Sequence, residues 1–273
     1  MARRVTLVAG RGALVSHVTD AIRRRGDTLQ IVDLIGDRDH AAEDVTRASL
    51  SEAGALLKSI KAFGPTHLVL AGGAHISDSE RRGLAEAFGV AGRLAGGLGD
   101  IGLAGMIFVY CKAQGYKLVG VHEVAPDLLA PEGLIAGPPL TAELEGVARH
   151  ALKAARAIGA IDLGQSVVVS ANRPVAAEDA GGTDALLDRV AALVAAGLVG
   201  GQRGLLILAK ARKPKQPSFV DLPAIGSDTV VGAADAGISA IVVETRASLL
   251  LDRPAIEREA TARGISVVGL RHG

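Results

Sequence analysis

Apolar and polar positions along the first half of the chain alternate between two periods. Short β-rich runs at 5–8, 29–32 and 67–70 are separated by stretches at 13–25 and 53–63 in which apolar residues recur at helical spacing. Further helical patterns at 79–88 and 103–114 precede an apolar run at 117–121, which reads as a buried strand. This strand–helix–strand order predicts a parallel, Rossmann-like sheet over residues 1–124.

Between 125 and 139 the chain carries Pro126, Pro131, Gly133, Gly137, Pro138 and Pro139, a density of breakers that predicts a linker without regular elements. Beyond it the rhythm changes. A helix over 142–158 is expected from Leu144, Val147, Ala148, Ala151, Leu152 and Ala155, and a hairpin from runs at 166–169 and 174–177 around Ala171-Asn172-Arg173. Strands at 205–209, 240–243 and 267–270 and helices at 184–196, 228–236 and 254–263 complete a second α/β domain of mixed topology, 140–273. The expected fold is therefore α/β throughout, a Rossmann-like N-terminal domain followed by a mixed C-terminal domain.

Composition narrows this picture. Of 273 residues 49% are hydrophobic but only 2% aromatic, so the cores must be built from Ala, Val, Leu and Ile, which suits helices packed closely on sheets. Thirty Lys+Arg against 29 Asp+Glu leave a net charge of +1, too small a field to hold a nucleic-acid backbone. The single cysteine, Cys111, allows no internal disulfide and lies in an apolar run where it reads as a buried thiol. No secretory leader is legible at the start of the chain, and the longest uncharged apolar stretch, 101–111, is far short of a membrane span. A cytoplasmic protein is expected, with any membrane contact peripheral.

Candidate chemistry sits at turns. Gly10-Arg11-Gly12-Ala13 leads from a predicted strand into a helix, where backbone N–H groups can hold a phosphate; Val15 replaces the third glycine of a dinucleotide fingerprint. A plain tight turn explains the same residues. Gly72-Gly73 ends another predicted strand of the same sheet, and two glycine turns on one edge point to a pocket more strongly than either does separately. Thr183 reads as an N-cap and Asp184 as a first-turn acid, while Glu178, Asp179 and Asp184 together read either as oxygen ligands for a hard cation or as an acidic solvated loop. Lys210, Arg212, Lys213 and Lys215 crowd after a strand and would repel unless solvated or facing an anion; Asp221 follows before a Pro turn. Cations with one fixed carboxylate suit phosphoanhydride chemistry, while surface lysines and a turn-forming aspartate are the plainer account. Asp37-Arg38-Asp39-His40 reads as a solvated loop and His122-Glu123 as a strand-end pair.

Taken together, the segments Leu7-Val8-Ala9-Gly10-Arg11-Gly12-Ala13-Leu14, His122-Glu123-Val124-Ala125-Pro126-Asp127, Leu163-Gly164-Gln165-Ser166, Gly182-Thr183-Asp184-Ala185-Leu186, Ala209-Lys210-Ala211-Arg212-Lys213-Pro214 and Asp221-Leu222-Pro223-Ala224-Ile225-Gly226 resemble the LpxI family of UDP-2,3-diacylglucosamine pyrophosphatases over nearly the whole chain. The resemblance implies Mg²⁺-dependent hydrolysis of the diphosphate to UMP and 2,3-diacylglucosamine 1-phosphate in lipid A synthesis. It implies an essential, metal-binding Asp221, with Asp184 and Lys213 as further catalytic candidates. Thr183, Lys210 and Gln216 become substrate contacts, beside the turns at Gly10, Gly12, Gly72 and Gly73. The UDP-linked diacylated glucosamine would be held between the domains, with peripheral contact to the inner membrane; a homodimer is allowed for. A non-catalytic nucleotide-sugar sensor and a nicotinamide oxidoreductase are the rival readings.

Overall fold

The computed structural model describes residues 2–34, 45–47, 52–73, 78–88, 100–200, 205–215, 217, 219 and 222–272. The chain divides into two compact units, Met1–Asp127 with Pro217–Asp221, and Leu128–Gln216 with Leu222–Gly273.

In the first unit, β1 (Arg4–Ala9), β2 (Thr28–Asp33), β3 (Val45–Arg47), β4 (His67–Ala71) and β5 (Lys117–Val119) form one sheet in the order β3-β2-β1-β4-β5. Every pairing is parallel, and the order is that of a Rossmann half followed by its switch. The helices α1 (Leu14–Arg24), α2 (Ala53–Phe63), α3 (Asp78–Ala87) and α4 (Asp100–Gln114) form the crossovers. α1 buries Leu14, Val15, Val18, Ala21 and Ile22, the spacing of a single helical face. At the sheet centre the buried Thr6 hydroxyl donates to Gln30 Oε1 at 2.8 Å, and Gln30 Nε2 in turn donates to Ser59 Oγ on α2, so these two side chains satisfy each other and tie the sheet to the helix. Cys111 of α4 is buried, and that burial pushes its thiol up to about 11. The same helix exposes Val109 and part of Phe108, whose ring stacks on that of Phe219 with centroids 5.5 Å apart.

The strand expected to reach Val121 stops at Val119, and Val121–Val124 forms a short helix, α5. Gly120 is the reason: its N–H is taken by Glu123 Oε1 at 3.1 Å and its carbonyl accepts from the Glu123 N–H, so the chain turns instead of continuing the ladder. His122-Glu123 is thus a helical pair and not the strand end expected.

The second unit holds β6 (Gly133–Ala136), α6 (Ala142–Ala160), β7 (Ser166–Ser170), β8 (Arg173–Ala177), α7 (Gly182–Ala195), β9 (Leu206–Lys210), β10 (Ala224–Ile225), α8 (Ser227–Asp235), β11 (Ala240–Glu244), β12 (Leu249–Leu250), α9 (Arg253–Arg263) and β13 (Ser266–Leu270). Six strands pair as β6-β13-β11-β9-β7-β8; β9, β11 and β13 are mutually parallel, while β6, β7 and β8 run antiparallel to their neighbours, giving the mixed topology expected. Strand alternation sorts the core into two layers. Leu206, Leu208, Ile241, Val243 and Val267 face α7, α8 and α9, and Val167, Val169, Ile207, Ala209 and Val242 face α6. All residues of β9 and β11 are buried, as central strands covered on both faces require.

The element-free linker expected over 125–139 is corrected here. A 3-10 turn at Pro126–Leu128 leads to β6, which pairs antiparallel with β13, and the two compact units part at Asp127 and Leu128. β6 fits between the prolines because an edge strand needs only one side of its backbone for pairing. Among the described residues no helix is long and apolar enough to cross a membrane.

Candidate functional site

In the first unit, β1 and β4 lie side by side, and their glycine turns meet beyond the carboxyl ends of the strands. The Gly10 N–H donates to the Ala71 carbonyl, and Arg11 and Gly73 exchange backbone hydrogen bonds of 2.7 and 2.9 Å. Gly10 and Gly72 are spent on this approach: a Cβ on Gly10 would stand 2.5 Å from the Gly73 carbonyl oxygen, and one on Gly72 2.5 Å from that of Arg11. Gly72 also adopts φ +88°, where side chains are strained. A Cβ on Gly12 or Gly73 would meet open space, so these two leave room for a ligand near the start of α1.

In the second unit, charged side chains gather where β9 and β11 end. Lys210, the last residue of β9, is buried, and its ammonium donates to Thr183 Oγ1 at 2.8 Å. The Thr183 hydroxyl donates to Glu178 Oε1 at 3.1 Å, and Glu178 Oε2 accepts from the Gln165 N–H. Burial holds the Lys210 amine below the usual lysine range, opposed by the charges of Glu178 and Asp184. Thr183 is therefore no N-cap. α7 begins at Gly182 after Gly181, whose N–H is taken by Asp179 Oδ1, and the Thr183 hydroxyl is turned to the lysine.

Asp179 also pairs with Arg189, and these bonds hold its carboxyl below the ordinary range. Of the three acids read as cation ligands, Glu178 and Asp179 are thus committed to protein donors. Asp184 is exposed and, among the described residues, makes no hydrogen bond or ion pair. No three His, Cys, Asp or Glu side chains come together among the described residues. Mg²⁺ asks less: it takes one or two carboxylates and completes its shell with water and phosphate, so an exposed, unbonded Asp184 beside the buried Lys210 fits its sparse demand. Asp221 and Gln216, like Asp37-Arg38-Asp39-His40, lie outside the described residues.

Lys213 is not an ordinary surface lysine. Its side chain is 17% exposed and bonds Asp162 Oδ1 at 2.7 Å, and its Cα lies so near α6 that a Cβ on Gly159 would be only 3.2 Å away. Lys215 is exposed. Two groups had escaped sequence reasoning. Glu244, closing β11, accepts the Arg212 N–H at 3.0 Å on one oxygen and pairs with Arg156 of α6 through the other. A lone carboxylate ending an otherwise apolar strand was the available signal.

A parallel Rossmann-ordered unit followed by a mixed sheet between helix layers defines a two-unit α/β protein with cationic chemistry at strand ends. Residues 4–128 match the LpxI N-terminal domain and residues 131–268 the LpxI C-terminal domain. The chain belongs to the LpxI family. It is 32% identical over 275 positions to the UDP-2,3-diacylglucosamine pyrophosphatase LpxI of Caulobacter vibrioides, with 98% of each protein covered. Among solved structures, UDP-glucose-4-epimerase from Stenotrophomonas maltophila matches at 11% identity and TM-score 0.33, over 99% of this chain and 78% of that one. The Bordetella bronchiseptica enzyme WbmG in complex with NAD matches at 16% identity and TM-score 0.30, over 42% and 36%. Likeness at that level carries no argument.

Proposed function

We propose that the protein is a pyrophosphatase that hydrolyses the diphosphate of UDP-2,3-diacylglucosamine, releasing UMP and 2,3-diacylglucosamine 1-phosphate in lipid A synthesis. The observation that carries this reading is the end-to-end similarity, through both domains, to a relative of that name. The clustering of Lys210, Thr183, Asp184 and Lys213 in one unit supports it, because a diphosphate needs fixed cations and hydrogen-bond donors.

In this reading Asp221 holds Mg²⁺, and Asp184 is a further catalytic residue. When bound, the ion supplies charge neutralisation at the phosphate oxygens and acidifies water. Lys213 shares its ammonium between Asp162 and a phosphate oxygen. Lys210 neutralises the diphosphate from its fixed place at the strand end and keeps the Thr183 hydroxyl oriented. Gln216 adds an amide contact, and the turns at Gly10, Gly12, Gly72 and Gly73 let an anion approach backbone. The protein works in the cytoplasm, peripheral to the inner membrane where its acylated substrate resides.

Purified protein given UDP-2,3-diacylglucosamine and Mg²⁺ should release UMP and stop in EDTA; binding without UMP would leave a nucleotide-sugar sensor instead. In ¹⁸O-water the label should enter the sugar phosphate. Asp221→Asn and Asp221→Ala should both lose about a thousandfold in rate, roughly 4 kcal/mol, while still binding substrate. Near-normal turnover by Asp221→Asn would return that residue to a turn former.

A further inference from the structure

We infer that Glu244 is a positioning residue that aims the 210–213 cation segment at the substrate phosphates, an inference that rests on the hydrolase reading above. A chain leaving a central parallel strand carries backbone N–H groups that the sheet no longer pairs, and buried ones must find acceptors. Ala211, still buried, donates its N–H to the Gln165 carbonyl at 2.9 Å. The next N–H, of Arg212, donates to the carboxylate of Glu244 at 3.0 Å.

Register explains why this acceptor is in place. Lys210 stands opposite Val243 in the β9–β11 ladder, so Glu244 is one step beyond the last paired residue, level with the departing chain. Its remaining oxygen pairs with Arg156 on α6. One buried carboxylate thus joins the end of β11, the exit from β9 and the covering helix. Three residues along the same chain, Lys210 is anchored through Thr183 and Lys213 through Asp162. Both cations are therefore carried by a segment whose path is fixed between them at Arg212. Fixed donors meet the substrate phosphates without first having to be ordered, which is the advantage over a free lysine-rich loop.

A purely structural staple would predict something different: a lower melting temperature with unchanged kinetics in the folded fraction. The test compares Glu244→Ala, which removes the acceptor, with Glu244→Gln, which keeps an oxygen for the Arg212 N–H. Three quantities are measured: amide exchange at Arg212 and at Val242, melting temperature, and kcat and KM for UDP-2,3-diacylglucosamine well below that temperature. We expect Glu244→Ala to speed exchange at Arg212 at least tenfold more than at Val242, and to raise KM about tenfold. Glu244→Gln should restore most of both. If Glu244→Ala does not fold, Glu244→Asp takes its place, because the shorter arm withdraws the carboxylate from the amide while keeping the charge. Unchanged KM in a folded variant, or exchange at Arg212 no faster than at Val242, overturns the inference. Failure of the wild-type protein to release UMP sinks the hydrolase reading and the role with it, while the exchange data still judge the tether.

Discussion

The two units place chemistry at the carboxyl ends of parallel strands in opposite ways. In the first, β1 and β4 end in glycines whose backbones press together, and the edge is made of peptide groups with almost no side chains. In the second, β9 and β11 end in Lys210 and Glu244, both buried and both bonded to neighbours. The lesson is that the edge of a parallel sheet can be built from backbone geometry or from charged side chains. The two materials fail differently: a backbone edge fails by steric intrusion and takes the local fold with it, whereas a charged edge fails by loss of field and leaves the fold standing.

The sharpest way to break this comparison is at Gly72. Gly72→Ala should destabilise by about 3 kcal/mol, since its Cβ would enter the Arg11 carbonyl at a positive φ. Denaturant melting reads this, and a loss under 1 kcal/mol would mean that the turns are not in contact. Next, Lys210→Met should lower turnover by about a hundredfold, equivalent to ~2.7 kcal/mol. Its melting point should fall only modestly, because the desolvation cost that methionine removes offsets part of what Thr183 and Glu178 lose. A collapse of the fold with no kinetic defect in the remaining folded protein would reverse that assignment. Gly12→Ala should cost only about 1 kcal/mol, the strain of φ +100° in open space, and so separates glycines kept for contact from those kept for conformation.

The smallest effect is on pH dependence. Burial holds the folded-state pKa of Lys210 below the ordinary lysine value of 10.5, so between the two values the unfolded chain binds more protons than the folded one. Stability from this group therefore rises as pH climbs through that window, and Lys210→Met should remove the rise. A wild-type and a variant curve of identical slope would show that the amine is not perturbed.

The rhythm of strands and helices was legible because hydrophobic period is local. The expected runs at 5–8, 29–32, 67–70 and 240–243 lie within β1, β2, β4 and β11, and the helix at 53–63 coincides with α2. β10 and β12, two residues each, are too short to carry a period, and β6 was hidden among prolines and glycines. Of the candidate site, Lys210 and Lys213 stood out as crowded cations and Thr183 and Asp184 as polar residues at a helix start, yet their partners did not. Thr183 looked like a cap because Ser and Thr before a helix usually are; only the buried amine of Lys210, 27 residues away in sequence, turns its hydroxyl elsewhere.

By itself, then, the sequence determined the α/β class, the order of the longer elements and the family, all of which follow from local pattern or from motif order. Tertiary structure alone decided the strand order within each sheet and that Gly10 and Gly72 face one another. It also decided that Lys210 is answered by Thr183 and Glu178, and Arg212 by Glu244. The physical reason is range. A side chain's period is set by its neighbours along the chain, but its charge and its hydrogen bonds are set by whichever strand the fold lays beside it.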